Sequence, residues 1–149
     1  MKVLSVFGTR PEAIKMAPVI QALERADGVT SSVCVTGQHR AMLDQVLSLF
    51  TITPDVDLDV MSVGQSPTEV LGRVLDGLRP VLDDVQPDVV LVQGDTTTAM
   101  AAGLGAAYGG LTVGHVEAGL STWNKREPFP EELNRLVVAS CADHHFAPT

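Results

Sequence analysis

Among the side chains of this 149-residue chain that could move protons or hold an anion, seven stand out. They are Arg10 and Lys15 near the amino terminus, Gln38 and His39 in a turn, and the acids Asp95, Glu117 and Glu131. Carboxylates can take and return protons, and Arg and Lys can hold a phosphate-like anion. Arg10 precedes Pro11 and Glu12, which read as first helical positions. A cation there opposes the helix dipole, and it makes sense if an anion shares that helix end with exposed backbone amides. The plain reading is a solvated Arg or a surface pair with Glu12. Lys15, one turn on, is spaced to pair i,i+3 with Glu12. Asp95 can cap the helix that begins near Thr96, and Glu131, after Pro130, can open a helix whose dipole favours an acid. Glu117 has a thinner structural explanation: it ends a buried strand and precedes Ala118 and Gly119, small residues that leave the backbone approachable.

The histidines divide. His115 lies within a strand and reads as a hydrogen-bonded core residue, whereas His39, in the Gln38–His39–Arg40 turn, is placed to touch a ligand. Cys141, Asp143, His144 and His145 invite a metal reading. Their spacing matches no common zinc signature, and adjacent histidines on a strand point opposite ways, so no metal is assigned. GxGxxG, GxxxxGK[ST] and GxSxG are all absent from the sequence, which removes the main support for simple dinucleotide, Walker-type and serine-hydrolase readings.

The elements that must carry these groups alternate between two periods. Short β-branched runs at 3–7, 32–36, 88–92, 112–116 and 144–147 read as strands, with 55–60 a further short one. Between them, apolar residues at 13, 14, 16, 17, 20 and 23 define a one-faced helix over 13–26, and those at 70, 71, 74, 75, 78, 81, 82 and 85 another over 69–85. Segments 42–50, 98–108 and 131–142 complete the helical set. Strand, helix, strand repeated in this way demands parallel strands with crossover helices, a Rossmann-like three-layer α/β sheet. The runs at 3–7 and 88–92 are nearly all apolar, as strands covered on both faces require. In such sheets ligands sit outside the carboxyl ends of the strands near the switch in strand order. That rule selects the segments following strands 3–7, 88–92 and 112–116. It places Arg10 and Asp95 facing each other across the crevice, with Glu117 on the same rim.

Composition narrows the function further. The chain is 45% apolar and 19% charged, and a domain of this size buries roughly 70% of the surface its unfolded chain would expose. Eighteen acids against ten bases give a formal charge of −8, and no Lys or Arg lies between Arg79 and Lys125. Nucleic acid and anionic membrane are therefore poor partners. The uncharged stretch 96–114 is 19 residues long but holds five Gly and four Thr, and reads as a buried helix followed by a strand. Cys34 and Cys141, far apart in apolar stretches, read as reduced thiols of a cytoplasmic protein.

Five separated blocks, GTRPEAIKMAPVI at 8–20, TGQHRAMLDQVL at 36–47, QGDTTTAMAAGLGAAY at 93–108, VGHVEAGLST at 113–122 and FPEELNRLV at 129–137, together resemble the bacterial non-hydrolysing UDP-N-acetylglucosamine 2-epimerases across essentially the whole chain. The resemblance implies a two-domain fold of glycosyltransferase-B type with the nucleotide sugar in the cleft. Residues 1–149 are then the first, Rossmann-like domain, and the second domain, with much of the uridine and diphosphate binding and a catalytic histidine, is missing. It implies Arg10, Lys15, Gln38 and His39 as substrate-binding residues, Asp95, Glu117 and Glu131 as catalytic acids, and no cofactor. UDP-GlcNAc and UDP-ManNAc are the implied ligands, with a homodimer in the full-length protein and a role in supplying surface-polysaccharide precursors.

The implied reaction inverts C2 of UDP-GlcNAc by anti elimination of UDP to a 2-acetamidoglucal and re-addition on the opposite face. The C2 proton is not acidic, so cleavage of the C1–O bond must lead, and acids and bases must serve both faces. An ordinary carboxylate, near pKa 4, is a weak base until burial or a like-charged neighbour raises it. Two departures from the family pattern stand out. Ser121 replaces the Arg of AGLRT and removes a cation near the site. Ala41 and Gly64 stand where members that bind a second UDP-GlcNAc allosterically carry Gln and Arg. Two other readings stay open: a hydrolysing relative that releases ManNAc and UDP, and a catalytically silent nucleotide-sugar-binding fragment.

Overall fold

The computed structural model describes residues 1–37, 40–60 and 62–148. The chain alternates as β1 (Lys2–Phe7), α1 (Arg10–Arg25), β2 (Thr30–Val35), α2 (Arg40–Leu49), β3 (Val56–Asp57), α3 (Pro67–Val85), β4 (Val89–Gln93), α4 (Thr97–Tyr108), β5 (Thr112–Val116), α5 (Glu131–Cys141) and β6 (His144–Phe146). The strands form one parallel sheet in the order β3-β2-β1-β4-β5-β6. β1 therefore sits beside β4, with the reversal of strand order between them, as the expected doubly wound sheet requires.

The central strands β1, β2, β4 and β5 split their side chains between two cores. Val3 and Phe7 of β1 pack with Ala13, Met16 and Ile20 of α1 and Leu43 and Leu47 of α2. Leu4 and Val6 point the other way, into Leu78 of α3, Ala99, Ala102 and Ala106 of α4, and Val138 of α5. This period-two alternation makes the third layer obligatory. The uncharged stretch 96–114 is the buried helix α4 followed by β5, and among the described residues no helix is long and apolar enough to cross a membrane. Gly114 lets β5 pass under its neighbours, since a Cβ there would lie 2.6 Å from Leu91 Cδ2.

Most boundaries lie within two residues of the periodic pattern, and two depart further. α1 starts at Arg10, ahead of its first apolar residue, because Thr9 caps it and Glu12 returns the bond in a capping box. β3 is only Val56–Asp57: it pairs with Cys34 and Val35 of β2, and the chain then leaves the ladder toward Asp59, at φ 46°.

Candidate active site

Three strand ends build the rim. At the end of β1, the Glu12 side chain folds back under its own helix: Oε2 accepts from Gly8 N at 3.0 Å and Thr9 N at 2.7 Å, and Oε1 accepts from the Thr96 hydroxyl at 2.6 Å. Thr96 in turn caps α4, accepting from Ala99 N at 3.0 Å. Glu12 is 2% exposed, and burial raises its carboxyl above the usual range against the opposing pull of these bonds. It pairs with neither Arg10 nor Lys15, and it occupies the amides of Gly8 and Thr9 just ahead of α1.

Lys15 instead forms an ion pair with Glu117, whose Oε2 also accepts from Gln93 Nε2 at 3.0 Å. Glu117 is in the left-handed region at φ 64°, which turns its side chain out of the β5 line. Asp95 follows Gly94, at φ 71°. It does not cap α4, a task Thr96 performs. Its carboxylate pairs with Arg135 of α5, and its carbonyl accepts from Asn134 Nδ2 at 2.9 Å. His115 is fully buried and its pKa is lowered chiefly by that burial, so the neutral ring donates from Nε2 to the Gly94 carbonyl at 2.7 Å. The core reading of His115 therefore holds.

Lys15, Asp95, Glu117 and Glu131 line one cavity of about 560 Å³ at the carboxyl ends of β1, β4 and β5, with Glu12 and Thr96 in its floor. Its volume suits a small-molecule ligand. A larger hollow of about 780 Å³ lies at the opposite ends of the strands, between α3 and α4, with Leu75, Leu78 and Leu82 in its wall. It brings together none of the candidate residues. Glu131 is the first residue of α5, behind Pro130, which caps nothing with its side chain. Among the described residues no hydrogen bond or ion pair engages the Glu131 side chain. Arg10 is exposed at the start of α1 and lies outside the cavity lining, so Arg135, not Arg10, faces Asp95. Gln38 and His39 lie outside the described residues.

Ser121, the residue that departs from AGLRT, donates from its hydroxyl to Glu132, which also accepts from Thr122 N at 3.1 Å and Trp123 N at 2.9 Å. These bonds, led by that from Ser121, lower the Glu132 carboxyl pKa. Among the described residues no group of three or more His, Cys, Asp or Glu is placed to hold a metal ion, and Asp143 is used to accept from Val113 N at 2.9 Å. Sequence reasoning missed Glu12, Arg135 and Glu132 as organisers of the rim. Thr9 and Glu12 carry a capping-box signal. Arg135 lies four residues after Glu131, so it was legible as a same-face neighbour on a helix.

A doubly wound parallel sheet with cations and carboxylates converging at its switch point defines a Rossmann-like α/β domain. Comparison with known proteins narrows this. The family profile described as UDP-N-acetylglucosamine 2-epimerase matches residues 21–149. UDP-N-acetylglucosamine 2-epimerases of Yersinia pestis and Escherichia coli K12 are 59% and 57% identical over 149 residues, the whole of this chain and 40% of each relative. The crystal structure of UDP-GlcNAc 2-epimerase from Neisseria meningitidis bound to UDP-GlcNAc superposes with a TM-score of 0.95 at 56% identity, covering 100% of this chain and 41% of that one. The Methanocaldococcus jannaschii enzyme in complex with UDP-GlcNAc and UDP gives 0.93 at 36% identity, with 100% and 41% covered. The chain belongs to the UDP-N-acetylglucosamine 2-epimerase family, and it spans about 40% of the length of the curated relatives it matches. A glycosyltransferase of kitacinnamycin, 15% identical with a TM-score of 0.60, shares the fold.

Proposed function

We propose that the protein of which this chain forms a part interconverts UDP-GlcNAc and UDP-ManNAc. The observation that carries the reading is the meeting of Lys15, Asp95, Glu117 and Glu131 around one cavity at the carboxyl rim of the sheet. Epimerisation at C2 needs the C1–O bond to the diphosphate to break and the C2 proton to leave, giving UDP and a 2-acetamidoglucal. UDP then adds back at C1 while a proton reaches C2 from the other face. Two proton-transfer groups on opposite sides and cations at the leaving diphosphate meet that demand. Asp95 and Glu117 are each held by a cation, and Glu131 carries no such partner among the described residues, so the three acids differ in environment although they share one cavity. Arg10, exposed at the start of α1, and Gln38 and His39 complete the substrate contacts in this reading.

The chain is the first of two domains in this proposal, and the second closes over the cavity to supply the remaining uridine and diphosphate contacts. Exposed Leu120, Trp123 and Phe129, at 53%, 83% and 65%, support a partner surface beside the rim. The active form is a cytoplasmic homodimer. The share of the relatives' length covered favours a silent isolated chain, so the test uses both forms. UDP-GlcNAc is incubated in D2O with the full-length protein and with the 149-residue chain, and C2 is followed by NMR. Deuterium at C2 with UDP-ManNAc from the full-length protein supports the proposal. Free ManNAc with UDP indicates hydrolysis, and binding without exchange indicates a passive module.

A further inference from the structure

We propose that Arg135 is a positioning residue that sets the three acids of the rim relative to one another, an inference that rests on the epimerase reading above. Arg135 is 6% exposed, and an arginine is rarely so buried without partners for its charge. Its two guanidinium arms go to different loops: Nη2 to the Asp95 carboxylate and Nη1 to the Glu117 carbonyl at 3.0 Å. It is absent from the cavity wall, so it acts through those acids and does not touch a ligand there.

The need for such a clamp follows from where the sheet stops. The β4–β5 ladder ends at Gln93 and Val116, and the bond from Gly94 N to the Val116 carbonyl, 3.0 Å, is the last backbone link between the two strands. Gly94 and Glu117 then leave the strand direction at φ 71° and 64°. Beyond that point no backbone hydrogen bond joins the Asp95 arm to the Glu117 arm among the described residues. Arg135 crosses the gap with one planar fork, a geometry that a single ammonium cannot reproduce. It also stands one helical turn after Glu131, on the same helix α5. The third acid is thereby tied to the other two through a rigid element, and Asn134 adds a second hold on Asp95 through its carbonyl.

The test uses full-length protein carrying Arg135→Met, Arg135→Lys, Asp95→Asn and the Arg135→Met/Asp95→Asn pair. A shift of about 1 Å in a reacting group costs on the order of 100-fold. Arg135→Met is therefore expected to lower kcat for epimerisation about 100-fold, with KM for UDP-GlcNAc within about threefold, because the guanidinium lies outside the cavity. Arg135→Lys, which keeps charge and fold but not the fork, is expected to lose at least about tenfold in kcat. In the Asp95→Asn background, Arg135→Met should add clearly less than its roughly 100-fold effect in the parent, since only its hold on Glu117 and Glu131 is left to lose. A merely structural arginine would lower the folded fraction or melting temperature and leave kcat per folded molecule unchanged. That result, a loss confined to KM, or fully multiplicative effects in the pair overturns the proposal. Normal kcat in Arg135→Lys does so too, even if Arg135→Met fails to fold. If the parent protein exchanges C2 and the variants match it, this inference alone fails. If the parent does not exchange C2, the epimerase reading fails and takes this inference with it.

Discussion

Replacing Glu12 separates two effects that the buried carboxylate combines. Its oxygens satisfy Gly8 N, Thr9 N and the Thr96 hydroxyl, tying the start of α1 to the cap of α4. Glu12→Ala strands all three donors. At about 1.5 kcal/mol each, the low end for bonds to a charged group, the loss approaches about 4.5 kcal/mol, reduced slightly because a desolvated charge is removed. A net destabilisation of about 3–4 kcal/mol would move a urea midpoint by roughly 1.5–2 M for a slope near 2 kcal/mol/M. Glu12→Gln keeps a carbonyl for the two amides and offers an N–H to Thr96 Oγ1, which has a lone pair left after binding Ala99 N, so this variant should stay within about 1 kcal/mol of the parent. The pH dependence fixes the sign. The folded-state carboxyl is raised above its ordinary value of 4.5, so its stabilising contribution is full below 4.5 and declines as pH rises through the folded value. Glu12→Gln should therefore gain on the parent as pH climbs from 4.5 toward neutrality. Urea titrations read by circular dichroism at several pH values measure all of this. An Ala variant within about 1 kcal/mol of the parent, or a Gln variant as damaged as Ala, would refute the bridging role.

Other outcomes follow from the same contacts. Gly8→Ala puts a Cβ 2.0 Å from Thr36 Oγ1 and 3.0 Å from Thr98 Oγ1, a clash at the first strand end that should cost about 1–3 kcal/mol in chemical denaturation. His115 is neutral in the fold because burial holds its pKa below 6.5, so its contribution is intact above 6.5 and lost as pH falls below it. The parent should lose stability relative to His115→Phe as pH falls below 6.5, and parallel pH curves for the two would contradict the assignment. The Glu132 carboxyl is held below 4.5 by Ser121, Thr122 and Trp123, so its contribution is present above 4.5 and fades as pH falls toward its folded value. Glu132→Gln should flatten that acid limb and speed proteolysis near residues 121–123, which limited digestion with mass spectrometry would detect. In the full-length protein, Lys15→Ala leaves Glu117 without its cation and should lower kcat/KM at least about tenfold in an NMR assay of UDP-GlcNAc conversion.

The layered sheet was legible in the residues because it depends on local periods. The alternation of Val3 and Phe7 against Leu4 and Val6, and the helical spacing through Met16 and Ile20, need no knowledge of distant partners. From the parallel order alone, Asp95 and Glu117 could be assigned to the same rim. The chain on its own also settled that 96–114 must fold inward as helix and strand, since five glycines and four threonines suit close packing and not lipid.

Which charge meets which was decided only by the tertiary structure. Lys15 is within reach of Glu12 by helical spacing, yet Glu12 turns beneath the helix to amides and Thr96, and Lys15 turns to Glu117, 102 residues away. Asp95 meets Arg135, from a helix 40 residues on, and leaves Arg10 in solvent. Such pairings depend on where the ladder ends, on the left-handed turn at Glu117 and on how deeply α5 packs against α4. A sequence records periodicities over a few residues, whereas an ion pair depends on ångström-scale distances that only the assembled packing determines.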